Sequence, residues 1–237
     1  MTPEQLVNLF REQTGGECAV TPSELQQRLR PIKAFVFDWD GVFNNGTKNS
    51  DTGSSFSEID SMGTNLLRFG YWLKHGAVPF TAIITGEQNH SAIHLGQREH
   101  FDAIYFKTKN KSKALEHIKQ QFNVEAKQIA YFFDDILDLS ATKLCGLRLM
   151  IKRQASVLFN HYTKQQQCCD YISGQQGGQH AVREICELLL GLMGQFENAT
   201  EKRIDYEPHY RDYIETRNNK TLQQFVYSLS SDSITAM

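Results

Sequence analysis

The sequence predicts an α/β protein, a doubly wound and mostly parallel sheet with helices on both faces. Three observations support this class: short runs that are apolar throughout, amphipathic stretches of helical length between them, and acidic residues closing two of the runs. Ala34–Phe37 is an uninterrupted apolar run ending in Asp38, the pattern of a parallel strand covered on both sides. Phe80–Ile84, Ala103–Phe106, Ile129–Phe133 and residues 147–151 have the same character. Helices are predicted between and after them, over 62–74, 91–100, Lys111–Phe122, 137–144 and Ala181–Met193. Residues 1–30 form an N-terminal extension of one or two short helices, with Thr21-Pro22-Ser23-Glu24 as a helix start. The strand-helix core spans 31–196. A C-terminal extension, 197–237, carries Tyr206, Tyr210, Tyr213, Phe225 and Tyr227, expected to dock on the body or on a neighbouring subunit.

Composition narrows the function. The 237 residues are 40% hydrophobic and 11% aromatic, which excludes a disordered chain. Lys+Arg 25 against Asp+Glu 27 leaves a formal charge of −2, with no global positive field toward nucleic acid or anionic lipid. No apolar run approaches the ~20 residues that span a bilayer, and Met-Thr-Pro-Glu-Gln-Leu lacks the features of a secretory signal. Cys18, Cys145, Cys168, Cys169 and Cys186 contain no CxxC, so reduced thiols in a cytoplasmic protein are expected.

The chemistry concentrates at strand ends. Asp38-Trp39-Asp40-Gly41 leaves the first strand with two carboxylates at i and i+2 and a glycine for the exit turn. In open α/β sheets ligands bind beyond the carboxyl ends of strands. A calcium loop would need further acids at alternate positions, which Asn44-Asn45-Gly46 does not supply. Thr85-Gly86 ends the second strand, and Lys111 opens the helix after the third. Asp134, Asp135 and Asp138 gather after the fourth. Such a carboxylate cluster is unfavourable without a cation, and hard oxygen ligands favour Mg²⁺.

In order and spacing these pieces, DxDG, T-G, K and DDxxxD, resemble the haloacid dehalogenase superfamily of phosphotransferases. DGVFNNG, the 47–60 insertion with Phe56 and Asp60, and the run Gly177-Gly178-Gln179-His180-Ala181-Val182-Arg183-Glu184 look like its 3-deoxy-D-manno-octulosonate 8-phosphate phosphatases and their nonulosonate 9-phosphate relatives. The resemblance covers 31–195. It implies a Rossmann-like fold with a small β-hairpin flap and no large cap domain. It implies that Asp38 attacks phosphorus, that Asp40 acts as general acid and base, and that Thr85 and Lys111 hold the phosphate. Mg²⁺ would be bound by Asp38, Asp40 (through its carbonyl) and Asp134, with Asp135 and Asp138 supporting from behind. Gly41, Gly86, Glu87, Arg98 and Arg183 fall to the substrate, an acidic sugar phosphate, Arg183 acting across an interface; an ordinary helix arginine is the other reading of Arg183. Known capless relatives are homotetramers, and the same assembly is expected. Glu87 after T-G looks like the nonulosonate branch; an ordinary acid at a helix start is the other reading. Phe133, Lys107 and His180 stand where relatives carry glycine, and Asp60-Ser61 where Asp-Gly is common. A broader sugar phosphatase and a non-catalytic scaffold on the same fold are the alternatives.

Overall fold

Residues 34–37 form the middle of a nine-stranded sheet in the computed structural model, which describes residues 1–49 and 53–237. In chain order the strands are β1 (Glu17–Cys18), β2 (Ala34–Phe37), β3 (Phe80–Ile84), β4 (Ala103–Phe106), β5 (Ile129–Phe133), β6 (Leu147–Lys152), β7 (Tyr171–Gln176), β8 (Gln223–Ser228) and β9 (Ser233–Ala236). The helices are α1 (Pro3–Thr14), α2 (Pro22–Leu29), α3 (Glu58–His75), α4 (His90–Arg98), α5 (Lys111–Phe122), α6 (Leu139–Thr142), α7 (Val157–Gln165), α8 (Ala181–Met193), α9 (Phe196–Ile204) and α10 (Pro208–Asn218). The sheet order is β1-β7-β6-β5-β2-β3-β4-β8-β9, with only the outer pairs β1/β7 and β8/β9 antiparallel.

Alternation along β2 explains the two covered faces. Phe35 and Phe37 enter one core with α3 and α8, whereas Ala34 and Val36 enter the other with α5. The helix starts follow local capping chemistry. Thr2 with Gln5 and Thr21 with Glu24 form reciprocal capping boxes, each with proline in the first turn. Ser57 accepts the amide of Ile59, so α3 begins four residues before the predicted position. The helix predicted over 137–144 is corrected to a 3-10 turn, Ile136–Asp138, followed by the single turn of α6. Asp138 folds back onto the amide of Asp135, which tightens this segment.

Both terminal extensions add strands to the sheet. β1 pairs with β7, and β8 continues the parallel order beside β4. Tyr210, Tyr213 and Phe225 dock on the body while Tyr206 stays exposed: Tyr213 is fully buried against Phe69, at 5.1 Å between ring centroids, and its hydroxyl donates to the Asn65 carbonyl at 3.3 Å. Between β2 and α3 there is no folded cap among the described residues. An isolated antiparallel bridge, Asn49 to Gly53, closes the base of the expected flap, whose tip at 50–52 lies outside the described residues. No helix among the described residues is long and apolar enough to cross a membrane.

Tyr213→Ala should therefore cost about 3–5 kcal/mol of folding stability, as aromatic truncations in cores do. Chemical denaturation measures this; an unchanged midpoint would mean that α10 is not part of the cooperative fold.

Candidate active site

β2 ends where the strand order reverses, with β3 and β4 on one side and β5 to β7 on the other. Such a switch point opens a crevice beyond the strand ends. Asp38 stands there, 7% exposed, and its Oδ1 pairs with Lys111 Nζ at 2.5 Å. The same ammonium donates to Asp138 Oδ1 at 2.5 Å, and Tyr131 Oη donates to that oxygen at 2.9 Å. Lys111 is the first residue of α5 and is 3% exposed, so the helix start carries a charge into the crevice. Burial alone would depress its pKa, but Asp138 and Asp38 outweigh that and hold it firmly protonated. Burial pushes Asp38 up to about 7, with Lys111 opposing the shift and Asp138 adding to it.

Asp134 closes the group from the end of β5. Carboxylate oxygens of Asp38, Asp134 and Asp138 all lie within 4.8 Å of one another. Burial and the neighbouring Asp38 and Asp138 raise Asp134 to about 8, while Arg153 draws it down. Arg153 Nη2 donates to Asp134 Oδ2, whereas the buried Oδ1 has no hydrogen-bond partner. Gly41 has φ +85°, and a Cβ there would run into both Arg153 and Asp134, so the glycine of DxDG is sterically required. Asp138 is already engaged by Lys111, Tyr131 and the Asp135 amide. An orphaned carboxylate oxygen beside a second acid, with hard oxygen donors only, fits a divalent ion such as Mg²⁺ held by Asp38 and Asp134.

Asp40 lies outside that cluster. Its Oδ1 accepts from Ser54 Oγ at 2.6 Å and its Oδ2 pairs with Lys48 at 3.0 Å. Ser54 in turn accepts from Trp39 Nε1 and Asn89 Nδ2, both at 2.8 Å, so three segments fix the orientation of Asp40. Sequence reasoning missed Ser54, which carries no local signal. Arg153 was missed too, though its place just beyond the end of β6 is a position where ligands gather.

Asp38, Asp40, Lys111, Asp134, Asp135 and Asp138 line one cleft of about 280 Å³, together with Gly86, Glu87 and Arg153. Asp135 is exposed and caps the following turn through the Ile136 amide at 2.6 Å. Thr85 is fully buried and is not among the residues lining the cleft; its hydroxyl accepts the Glu87 amide at 3.4 Å. Arg98 and Arg183 are not among the residues lining this cleft. Arg98 pairs with Glu58 at 2.8 Å and donates to Ser61 Oγ at 2.5 Å; Arg183 pairs with Glu187 at 2.6 Å.

The glycine replacements have distinct structural outcomes. Phe133 is fully buried in the apolar core, its ring stacked 6.4 Å from that of Tyr131. Lys107 and His180 adopt φ +54° and +69°, keeping the left-handed backbone that glycine otherwise supplies. Asp60 accepts the Arg183 amide at 2.9 Å and thereby ties α3 to the start of α8.

In sequence and in fold the chain is similar to 3-deoxy-D-manno-octulosonate 8-phosphate phosphatases of the haloacid dehalogenase superfamily. It is 23% identical to that phosphatase from Escherichia coli over 184 residues, covering 77% of this chain and 92% of the relative. The Haemophilus influenzae enzyme is 26% identical over 179 residues, with 72% and 89% covered. The structure of the Moraxella catarrhalis phosphatase, solved with magnesium, phosphate and 3-deoxy-D-manno-octulosonate, superposes with a TM-score of 0.64 at 26% identity. That match covers 76% of this chain and 98% of the other. No family model matches the sequence.

Because the folded-state pKa values of Asp38 and Asp134 are raised, the folded metal-free protein binds more protons than the unfolded chain. Its stability from these groups falls as pH rises from the ordinary carboxylate value of 3.8 to about 7 and about 8, and levels off above that. Protons compete with a cation at the same oxygens, so the Mg²⁺-induced rise in Tm should grow between about pH 6 and about pH 9. Equal rises at both ends, measured by scanning calorimetry, would contradict this assignment.

Proposed function

We propose that this chain, a capless relative of haloacid dehalogenase superfamily phosphatases, hydrolyses the phosphate monoester of an acidic eight- or nine-carbon sugar. The observation that carries the reading is the convergence of Asp38, Asp40, Lys111 and Asp134 on one cleft at the switch point of the sheet. A carboxylate nucleophile, a second carboxylate two residues on, a buried cation and a metal-ready acid are the parts that phosphoryl transfer requires.

In the first step an Asp38 oxygen attacks phosphorus in line, forming an aspartyl phosphate as the bond to the sugar oxygen breaks. Asp40 donates its proton to that leaving oxygen. Ser54 and Lys48 orient the Asp40 side chain, which lies outside the cluster of Asp38, Asp134 and Asp138. In the second step Asp40 takes a proton from water, which attacks phosphorus and frees inorganic phosphate and Asp38. Lys111 neutralises charge on the phosphoryl oxygens, and the Thr85 hydroxyl donates to one of them. Bound by Asp38, Asp134 and the Asp40 carbonyl, Mg²⁺ would supply the positive charge that lets one anion approach another.

The substrate class follows the relatives, which are octulosonate 8-phosphate phosphatases. With only a short loop above the site, substrate selection falls to residues around the cleft and to neighbouring subunits. A homotetramer in the cytoplasm, with Arg183 meeting the substrate across an interface and Arg98 accompanying Glu87, completes the proposal. Glu87, which lines the cleft, is its candidate for distinguishing octulosonate from nonulosonate substrates.

Phosphate release with Mg²⁺ tests the reading. Asp38→Asn should abolish turnover. Asp40→Asn should lower kcat by about 10²–10⁴-fold on a sugar phosphate, and far less on an aryl phosphate whose leaving group needs no proton. Turnover that survives Asp38→Asn would refute the nucleophile, and no hydrolysis by the native chain would refute the activity.

A further inference from the structure

We propose that a second pocket beside the cleft binds the carboxylate of the acidic sugar phosphate, with Lys152 and Arg153 selecting it. This rests on the phosphatase reading and adds the place where the acid group sits. The pocket holds about 270 Å³ and is lined by Lys152, Arg153, Gln176 and Gln179, with Gly41 and Gly178 among its backbone walls. No acidic residue lines it among the described residues, whereas acids dominate the adjoining cleft. The two spaces are therefore opposite in charge.

Arg153 lines both spaces, and Gly41 follows directly on the catalytic Asp40. One guanidinium nitrogen of Arg153 is held by Asp134, which fixes the group at the boundary. Its remaining N–H groups, and the ammonium of Lys152, have no hydrogen-bond or ion-pair partner among the described residues. The register of β6 against β7 shifts between Met150 and Lys152, setting Lys152 opposite Gln176. Such irregularities re-aim side chains beside sites. The Gln176 oxygen accepts the Gln154 amide at 3.1 Å, and its Nε2 faces the Gln179 oxygen at 3.5 Å, which leaves the Gln179 amide donors available. The ammonium of Lys152, the N–H groups of Arg153 that Asp134 does not take, and the Gln179 amide form a site for a carboxylate. A sugar acid with its phosphate at the opposite end of the carbon chain spans both spaces; a neutral sugar phosphate uses only the cleft.

The test compares kcat/KM for 3-deoxy-D-manno-octulosonate 8-phosphate and for glucose 6-phosphate in the native chain, Lys152→Glu and Gln179→Glu. Both substitutions are at partly exposed or exposed positions. The preference for the acidic substrate should fall roughly tenfold in each variant, mainly through KM, as expected for losing one charge-assisted contact. An unchanged preference in both variants, or equal losses on the two substrates, would overturn the proposal. If the native chain hydrolyses neither ester, the phosphatase reading fails separately, and calorimetric binding of free 3-deoxy-D-manno-octulosonate decides the pocket. Binding weakened about tenfold by Lys152→Glu supports it; equal affinity in both proteins, or none in the native chain, overturns it.

Discussion

One buried ammonium holds the site together. Three carboxylates with oxygens within 4.8 Å of one another would drive each other apart or take up protons. Lys111 bridges two of them at 2.5 Å each, from a position almost closed to water. Removing one partner from a buried ion pair of this kind typically costs about 3–5 kcal/mol, because the remaining charges are left uncompensated. Its placement depends on several elements at once. The start of α5 supplies the lysine, β2 supplies Asp38, and the turn after β5 returns Asp138 to meet it.

The remaining charge is divided in a way that suits phosphoryl transfer. Lys111, Tyr131 and the Asp135 amide together satisfy Asp138, and Lys111 also pairs with one oxygen of Asp38, while Asp134 keeps one buried oxygen without a partner. Asp40, two residues beyond Asp38, is held apart by Ser54 and Lys48. Two acids from one short segment thus occupy different surroundings, as the proposed division between a nucleophile and a proton carrier requires. Arg153 marks the other boundary, where the acidic cleft meets the basic pocket.

The interior strands and their chemistry were legible because both faces of each are covered, leaving apolar runs that end abruptly in polar groups. Ala34–Phe37, Phe80–Ile84 and Ala103–Phe106 are observed with the predicted bounds. The edges were not legible. β1 is only two residues long, and β7 reads Tyr-Ile-Ser-Gly-Gln-Gln, too polar to stand out. In β8 the alternate residues Phe225 and Tyr227 are buried, a period-two signal obscured by the surrounding polar sequence. Asp38 and Asp134 could be read from strand ends, whereas Lys111 was placed at the site, and Asp138 given its supporting part there, only by the family resemblance. Ser54 and Arg153 act across long sequence separations, and no local pattern announces such contacts. Lys107 and His180 show the converse: residues that look like departures preserve the backbone conformation that glycine would have allowed.

The proposed chemistry requires an Asp38 oxygen to receive the phosphoryl group. Acid quench of the Mg²⁺-loaded chain during turnover, followed by peptide mass spectrometry, addresses this directly. A single phosphoryl group on the peptide carrying Asp38, lost in Asp38→Asn and assigned to that side chain by fragmentation, is the predicted result. Turnover with the group on another residue, or with no phosphorylated peptide under conditions that trap acyl phosphates, would contradict it.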